Sequence, residues 1–282
     1  MKENLLEKED FKKAVPALNN KIGDLLTRGI MSISGLNKLN RLYNNSKQYT
    51  GVDFCRSALN DIGVNVVVEN KKVLNRFKAN EAFITISNHP YGHIDGISII
   101  AEVGSVRSDY KVMANFILGI IDTLENSFIK VNPYKDKAQK KAAALDSVKQ
   151  CLKHIEDGHP FGFFPAGAVS DLKFKRGRFK IEDEDWKLST VRVIKKANVP
   201  VIPVYFSGGN SMFYYLLDAI SWKLSSVRLL REINNKKGKT VHMRFGEPVE
   251  PSELQKYSKA ADVAAYLRSK VYALAQKRNF IV

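Results

Sequence analysis

Cysteine is nearly absent from this 282-residue chain, which contains only Cys55 and Cys151. Two cysteines, with neither a CxxC pair nor the Cys/His spacing of a zinc site, argue against a disulfide framework and against structural zinc. Free thiols are the rule in a reducing compartment, so the sequence predicts a cytoplasmic protein.

Long apolar runs are also missing. No uninterrupted apolar segment reaches the roughly 18 residues that a helix needs to span a bilayer. The segment 1–15 contains acidic side chains and no sustained apolar core, so we expect no signal peptide. The two absences predict a protein that does not cross the membrane.

Acidic residues are scarce relative to basic ones: 29 Asp and Glu stand against 45 Lys and Arg, for a formal net charge of +16. Such an excess predicts an anionic partner, because long-range attraction favours association. Nucleic acid, an anionic lipid surface and an acidic carrier protein all meet this condition, and a merely soluble basic surface is the alternative. Charge alone does not choose among them.

Short β-rich segments alternate with helical ones along most of the chain. The predicted strands are Val64–Val68, Ala82–Ser87, Ser127–Val131, Phe161–Phe164, Val199–Phe206 and Thr240–Phe245. Helices are predicted over residues 9–48, Lys135–Glu156 and Ala260–Arg278. This alternation predicts an α/β fold, with a central mostly parallel sheet flanked by helices and with an N-terminal helical extension. We divide the chain into an N-terminal helical segment (1–55), a catalytic domain (56–251) and a C-terminal helix (252–282).

A polar loop with the sequence Asn88-His-Pro-Tyr-Gly-His-Ile-Asp95 follows the second predicted strand directly. Ligands of open α/β sheets bind at the carboxyl ends of strands. Pro90 and Gly92 favour a tight loop, which can bring His89 and Asp95 together. A His beside a carboxylate is the minimal general-base unit, because the carboxylate fixes the imidazole tautomer and stabilises the imidazolium. The alternative is a pair that only closes the loop, and spacing alone does not separate the two.

His93 adds a second imidazole, so a metal bound by His89, His93 and Asp95 is a further alternative. A loop that contains Pro and Gly does not give the one-face geometry of a helical i, i+4 pair of histidines, and the sequence offers no further cluster of ligands. We therefore expect neither a metal nor a cofactor.

A basic segment follows Ser170 and contains Lys173, Lys175, Arg176 and Arg178, interleaved with Phe174, Gly177 and Phe179. Cations on a Gly-containing loop can bind a phosphate or carboxylate group and can contact anionic headgroups. A solvated charged loop is the alternative. The segment 207–211 offers further donors near another strand end, although a plain turn explains it nearly as well.

Four segments in this order resemble the glycerolipid (lysophosphatidic acid) acyltransferases. Asn88-His89 through Asp95 resembles the first motif of that family, and its longer spacer is similar to the bacterial hemolysin-like or ornithine/glycine-lipid O-acyltransferase branch. The other three segments are Phe163–Ser170, similar to the Phe-Pro-x-Gly block associated with acceptor binding, Val201–Val204, similar to the late Pro-containing strand, and Thr240–Pro248, similar to the family's ending. The resemblance covers about residues 60–251.

This resemblance implies the fold of those enzymes and the transfer of a fatty acyl group from acyl-ACP or acyl-CoA to a hydroxyl of a lysolipid, either a lyso-amino-lipid or lysophosphatidic acid. It implies that His89 is the general base and that Asp95 orients it. Together with the basic segment, it gives as substrate-binding candidates Asn88, Lys130, Asn132, Pro165, Gly167, Ser170, Lys173, Lys175, Arg176 and Arg178.

The sequence departs from the family in two places. Ala166 stands where the Phe-Pro-Glu-Gly block has its Glu, and position 168, often Glu in the hemolysin-like branch, is also Ala. The second family block normally brings an Arg for the glycerol phosphate, whereas this chain has Lys130 and Asn132. The acceptor contacts of ordinary phosphatidic acid synthesis are therefore not carried over.

Two other functions are weighed against acyl transfer. A serine hydrolase is disfavoured because there is no Gly-x-Ser-x-Gly elbow and Ser170 has no assigned base. A non-catalytic basic protein that binds lipid or nucleic acid would explain the charge without chemistry, but we expect no nucleic-acid partner.

We expect the protein to lie peripherally on the inner face of the cell membrane, bound to anionic lipid and to a lysolipid acceptor, with acyl carrier protein as a further partner. Two apolar segments, Phe116–Ile121 and Met212–Trp222, are too short to span a bilayer. We interpret most of their residues as core, with a subset exposed beside the site to admit an acyl chain.

Overall fold

The computed structural model of the protein describes residues 4–5, 35–115, 121–131, 137–175 and 177–276. Its helices are α1 (Leu36–Ser46), α2 (Gly51–Ile62), α3 (Ile94–Gly104), α4 (Lys137–Glu156), α5 (Leu188–Ala197), α6 (Met212–Ile220), α7 (Trp222–Glu232), α8 (Pro251–Gln255) and α9 (Ala260–Ala273). Its strands are β1 (Asn65–Glu69), β2 (Ile84–Ser87), β3 (Lys111–Asn115), β4 (Phe128–Val131), β5 (Phe161–Phe163), β6 (Asp171–Lys175), β7 (Arg178–Glu182), β8 (Val201–Phe206) and β9 (Thr240–Phe245). Short 3-10 segments cover Lys71–Arg76, Asp122–Ser127, Ile233–Lys236 and Leu274–Gln276.

Seven strands form one sheet in the order β1-β9-β8-β2-β5-β3-β4. The strands from β8 to β4 are all parallel to one another. At the other side β9 runs antiparallel to β8 and is parallel to β1. The predicted α/β fold with a mostly parallel central sheet is therefore confirmed. β6 and β7 form a separate antiparallel hairpin.

Each face of the sheet is covered by its own apolar core, because alternate side chains of a strand point to opposite faces. Ile202, Val204 and Phe206 of β8 pack into a core with residues of α1, α2 and α3. Ile84 and Ile86 of β2 belong to the second core, which includes residues of α4, α5 and α9. This packing on both faces fixes the carboxyl ends of β2 and β8 side by side.

Local chemistry explains where several helices begin and end. Gly63 adopts a left-handed conformation with φ 76° after α2, and its amide donates to the carbonyls of Leu59 and Asn60. The hydroxyl of Ser211 accepts a hydrogen bond from the amide of Tyr214 at the start of α6. These caps set α2 against the sheet and start α6 directly after the loop that follows β8.

All six predicted strands are present, with boundaries that differ by at most two residues. Three strands were missed, namely β3 and both strands of the β6–β7 hairpin, and no helix was predicted over α2, α5, α6, α7 or α8. The predicted helix over residues 9–48 is confirmed for α1, while residues 6–34 lie outside the described residues. The C-terminal helix ends at Ala273, five residues earlier than predicted, and a 3-10 turn continues the chain to Gln276.

No helix within the described ranges combines the length and the apolar character needed to cross a bilayer.

Candidate active site

The loop between β2 and α3 brings His89 and Asp95 together, as predicted from their spacing. His89 Nδ1 lies 3.0 Å from Asp95 Oδ2, although the N–H direction is not well aligned for a hydrogen bond. The Asp95 side chain is fully buried and that of His89 is 17% exposed. The pair thus has a shielded carboxylate and an imidazole that still reaches the surface.

Backbone amides hold the Asp95 carboxylate in place. Its Oδ2 accepts from the amides of Tyr91 (3.0 Å) and Gly92 (3.4 Å), and its Oδ1 accepts from the amide of Gly96 (3.1 Å). Burial alone would raise the pKa of Asp95, but His89 and the Tyr91 amide outweigh it and hold the pKa below its ordinary value. Asp95 is therefore ionised and fixed before any substrate binds.

The same interactions act on His89 with the opposite sign. Burial lowers the pKa of His89, while the charges of Asp95 and Asp183 raise it, and the net shift is upward from the ordinary value. Since Nδ1 faces the carboxylate, the neutral ring carries its proton there and leaves the Nε2 lone pair available. No described residue forms a hydrogen bond with Nε2. The ring of Phe164 packs against the imidazole with centroids 4.0 Å apart.

Asp183, at the end of β7, is a second buried carboxylate that sequence analysis missed. Its Oδ1 accepts from the backbone amide of His89 (3.1 Å) and from the hydroxyl of Ser170 (2.6 Å), and its Oδ2 accepts from the indole of Trp186 (3.1 Å). The amide of Ser170 in turn donates to the carbonyl of His89. Asp183 thus fixes the backbone of His89. The sequence signal is a run of four acidic residues, Glu182-Asp183-Glu184-Asp185, between the basic segment and Trp186.

Asn88 uses its carboxamide to join the two central strands. Its Nδ2 donates to the carbonyl of Phe206 (2.9 Å), and its Oδ1 accepts from the Phe206 amide (2.7 Å). The side chain is buried and both of its polar atoms are committed to this contact. Its predicted part in substrate binding therefore becomes a part in positioning the loop.

His93 takes no direct part in the pair. Its Nδ1 accepts from the amide of Ile94 at the start of α3, and its Nε2 lies 3.2 Å from the carbonyl of Leu229. Burial lowers the pKa of His93 to about 4, so the ring is neutral at physiological pH. Within the ranges that the structure describes, no group of three or more His, Cys, Asp or Glu side chains is arranged to bind a metal.

The Phe-Pro-x-Gly segment lies directly beside this loop. Gly167 adopts φ 66° and its amide donates to the carbonyl of Phe164, which closes a tight turn around Pro165. Pro165 is buried, Gly167 is exposed, and Ser170 is 1% exposed with its hydroxyl bound to Asp183. The turn therefore lines the site, while Ser170 acts inside the protein.

The basic segment is a hairpin instead of the predicted loop. Gly177, with φ 73°, allows the tight turn between β6 and β7. Lys173 contacts Glu184 (3.2 Å) and Lys175 contacts Glu182 (2.6 Å), so neighbouring carboxylates offset these two charges. Arg178 is exposed near the tip, and Arg176 lies outside the described residues.

Lys130 belongs to β4 at the edge of the sheet, three strands from β2, a lateral separation of about 14 Å. Only its backbone is described, and Asn132 lies outside the described residues. The backbone of Lys130 therefore does not lie next to His89.

The loop after β8 lies alongside the His89 loop, because Tyr91 donates its hydroxyl to the carbonyl of Ser207 (2.8 Å). Asn210 in this loop is 9% exposed, and neither polar atom of its carboxamide has a partner among the described residues. Close by, Glu232 and Lys236 form a buried pair 3.7 Å apart, and burial lowers the pKa of Lys236 to about 8. Asn210 is therefore a candidate ligand contact within the segment 207–211, in which the sequence predicts hydrogen-bond donors.

The fold places the His89–Asp95 pair at the carboxyl end of a central parallel strand, where Nε2 of His89 has no hydrogen-bond partner among the described residues. The chain belongs to the Acyltransferase family, whose sequence profile matches residues 13–279. The predicted resemblance to the glycerolipid acyltransferases is thereby confirmed.

Two relatives named lyso-glycine lipid O-acyltransferase are similar along most of their length. The protein of Bacteroides thetaiotaomicron is 26% identical over 244 residues, which cover 84% of this chain and 85% of the relative. That of Phocaeicola vulgatus is 25% identical over 244 residues, with 84% and 83% covered. The crystal structure of the 1-acyl-sn-glycerophosphate acyltransferase of Thermotoga maritima superimposes with a TM-score of 0.51 at 18% identity, over 91% of this chain and 90% of that one. The last comparison shows a shared fold.

Proposed function

We propose that this protein transfers a fatty acyl group from an acyl thioester to a hydroxyl of a lysolipid during membrane lipid synthesis. The observation that carries the proposal is the His89–Asp95 pair, in which a carboxylate held by backbone amides faces Nδ1 and leaves Nε2 available. The names of the two relatives support a lysolipid as acceptor.

In the proposed reaction His89 Nε2 accepts the proton of the acceptor hydroxyl while the oxygen attacks the thioester carbonyl. Asp95 stabilises the imidazolium that forms. The tetrahedral intermediate collapses when the C–S bond breaks, and the leaving thiolate takes the proton from Nε2. The ester and the free thiol are the products, and the imidazole returns to its neutral form without a covalent enzyme intermediate.

The acceptor that we favour is a lyso-amino-lipid, and lyso-glycine lipid is our first choice. Lysophosphatidic acid is the second choice of acceptor. The names of the two relatives support this order, and so does Ala166, which stands where the Phe-Pro-Glu-Gly block associated with acceptor binding has its Glu. Acyl-ACP and acyl-CoA are both candidate donors, and the net charge of +16 favours the acidic carrier protein. We also propose a peripheral location on the cytoplasmic face of the membrane.

A transfer assay with purified protein tests these proposals. Each acceptor is combined with each donor, and the ester product is measured by mass spectrometry. We expect O-acylated glycine lipid with wild-type protein and none with His89→Ala. Turnover of lysophosphatidic acid alone would contradict the choice of acceptor, and no transfer from any thioester would contradict the proposed activity.

The alternative, a non-catalytic basic lipid- or nucleic-acid-binding protein, predicts binding without turnover. A buried carboxylate held by three amides beside an imidazole has no evident use in such a protein.

A further inference from the structure

Helices α6 and α7 expose a continuous set of large apolar side chains, which we call the helical face. Its members are between 46% and 74% exposed: Met212, Phe213, Leu216, Ile220, Trp222 and Leu224. The expectation that most of Met212–Trp222 packs in the core is therefore wrong. Only one side of a helix can face the interior, and in α6 that side carries Tyr214 and Tyr215. Of Phe116–Ile121, only Ile121 is described.

The β6–β7 hairpin exposes a second apolar group at its tip. Phe174 and Phe179 pair across the strands with ring centroids 5.1 Å apart, and each is about two-thirds exposed (65% and 67%). Alternation along the two strands puts Leu172 and Ile181 on the same side as these rings and puts the basic residues on the opposite side. We call the side with the two rings the aromatic tip.

Packing at two glycines connects both elements to the region of the His89 loop. The side chain of Ile181 fills the space beside Gly209, three residues before the start of α6, and a Cβ at that glycine would collide with it. Gly92, in the His89 loop, is confined by Val169 at the base of the hairpin and by Leu229 of α7. The helical face and the aromatic tip therefore border the same site.

We propose that the helical face and the aromatic tip together form a membrane-docking surface that inserts shallowly into an anionic bilayer and presents His89 to lysolipid in the membrane plane. The proposal rests on the proposed function for its substrate and deepens it by naming the surface. An exposed apolar area of this extent on one protein is a recognised mark of a membrane or protein interface. Aromatic rings beside cations are typical of helices and hairpins that lie at the headgroup level.

Charge favours a bilayer over a second copy of the chain. Arg178 and Lys180 are exposed on the hairpin, and neither forms an ion pair with a carboxylate of the described residues. A symmetric dimer through this surface would bring two basic hairpins and two molecules of net charge +16 together, whereas anionic headgroups attract both. Helix α6, with nine residues, is about 13 Å long, so it can lie in the interface but cannot span it.

Trp222 is a native probe of this surface. The chain has two tryptophans, and the other, Trp186, is 4% exposed and hydrogen-bonded to Asp183. Vesicles of phosphatidylglycerol and phosphatidylcholine should shift the emission of Trp222 to shorter wavelength, and brominated lipid should quench it. Trp222→Phe should remove this response. Neutral phosphatidylcholine vesicles, or high salt, should weaken it, because the cations no longer contribute.

Two variants remove the apolar groups separately: Phe174→Ser with Phe179→Ser, and Leu216→Ser with Ile220→Ser. Each should reduce partitioning into anionic vesicles by about tenfold or more, since the deleted side chains can no longer be buried in lipid. Leu145→Ser is the matched control, because Leu145 is 56% exposed on α4, away from this surface. It should bind vesicles like wild type.

Activity measured in two formats separates this proposal from the proposed function. The docking variants should lose turnover of lysolipid in vesicles and keep turnover of a short-chain, water-soluble lysolipid. If the wild-type protein shows no turnover in either format, the result would contradict the proposed acyl transfer. Unchanged vesicle binding by both variants would overturn the docking surface. A fall in melting temperature, or conversion of a dimer to a monomer on substitution, would overturn it as well, because the face would then be covered by protein.

Discussion

Two His–Asp pairs lie at opposite ends of the same parallel strands, and the tighter one is at the end where no substrate is expected. His89 Nδ1 is 3.0 Å from Asp95 at the carboxyl end of β2, whereas His159 Nδ1 is 2.7 Å from Asp109 before β5 and β3 begin. The distance between imidazole and carboxylate therefore does not identify a general base.

The two His–Asp pairs differ in the other partners of the carboxylate. Asp109 also accepts two hydrogen bonds from Arg107 (3.0 and 2.7 Å), and that guanidinium binds the carbonyls of Lys78, Glu81 and Gly158. Burial would raise the pKa of Asp109, but Arg107 and then His159 lower it. Because Asp109 also binds the Arg107 guanidinium, its carboxylate helps to hold these chain segments together. Asp95 has His89 as its one charged ion-pair partner among the described residues, so its charge acts on the imidazole.

Replacement of each histidine by Ala gives the largest expected contrast. His89→Ala should reduce kcat/KM for acyl transfer by about a hundred- to ten-thousand-fold, because general-base catalysis contributes that much in typical enzymes. His159→Ala should remain close to wild type. Circular dichroism verifies that both variants fold. A folded His89→Ala protein with most of its activity would refute the assignment of the base.

The pH dependence of the two Asp→Asn variants sharpens the contrast. His89 must be neutral to accept a proton, so kcat/KM should rise with pH through the pKa of His89, which lies above its ordinary value. Asp95→Asn removes the largest upward contribution, so the acid limb should move to lower pH while the plateau falls by about 10- to 1,000-fold. Asp109→Asn should leave the limb in place. If the acid limb of the pH profile does not move in the Asp95→Asn variant, a group other than His89 determines the pH dependence.

Asp183→Asn should have a smaller effect of about tenfold on kcat, because Asp183 acts through the backbone of His89 and does not touch the reacting atoms. Its charge also raises the pKa of His89, so the acid limb should shift slightly downward. Ser170→Ala, which removes only the hydroxyl bonded to Asp183, should leave the limb unchanged. Equal shifts in the two variants would indicate a disturbed loop and no electrostatic role.

Asn210→Ala should show the smallest loss, a few-fold rise in KM, if the unpartnered carboxamide contacts bound substrate. Because a buried amide without a partner costs roughly 1–3 kcal/mol, the free energy of unfolding should stay the same or increase. Thermal unfolding and steady-state kinetics measure the two effects. A less stable protein with unchanged KM would show that the amide has a structural partner.

The strands and the proximity of His89 to Asp95 could be predicted because their causes are local. Apolar runs such as Ile84–Ser87 reveal buried parallel strands, and Asn88 to Asp95 lies within one tight loop. β3 was missed because it is short and polar at both ends, with Lys111 and Asn115. The hairpin was missed although apolar and basic residues alternate around Gly177, because the charges were interpreted as a loop.

Asp183 could not be predicted for a different reason. It lies 94 residues from His89 and 13 from Ser170, and only the return of the hairpin brings it back to the loop. The exposure of α6 could not be predicted either, since apolar side chains in a short helix have the same sequence pattern in a core and at an interface. Tertiary contacts decide both, and the local sequence does not encode them.

The hydrogen bonds between the Asn88 carboxamide and the backbone of Phe206 couple the loop after β2 to the loop after β8, so that the two loops shift together. If the chain after β8 shifts, His89, which is the residue next to Asn88, shifts with it. A ligand that prefers one position of the 207–211 segment then also changes the proton affinity of His89. By thermodynamic reciprocity, protonation of His89 changes the affinity for this ligand by the same factor. An acceptor bound beside Asn210 would thereby change the proton affinity of His89.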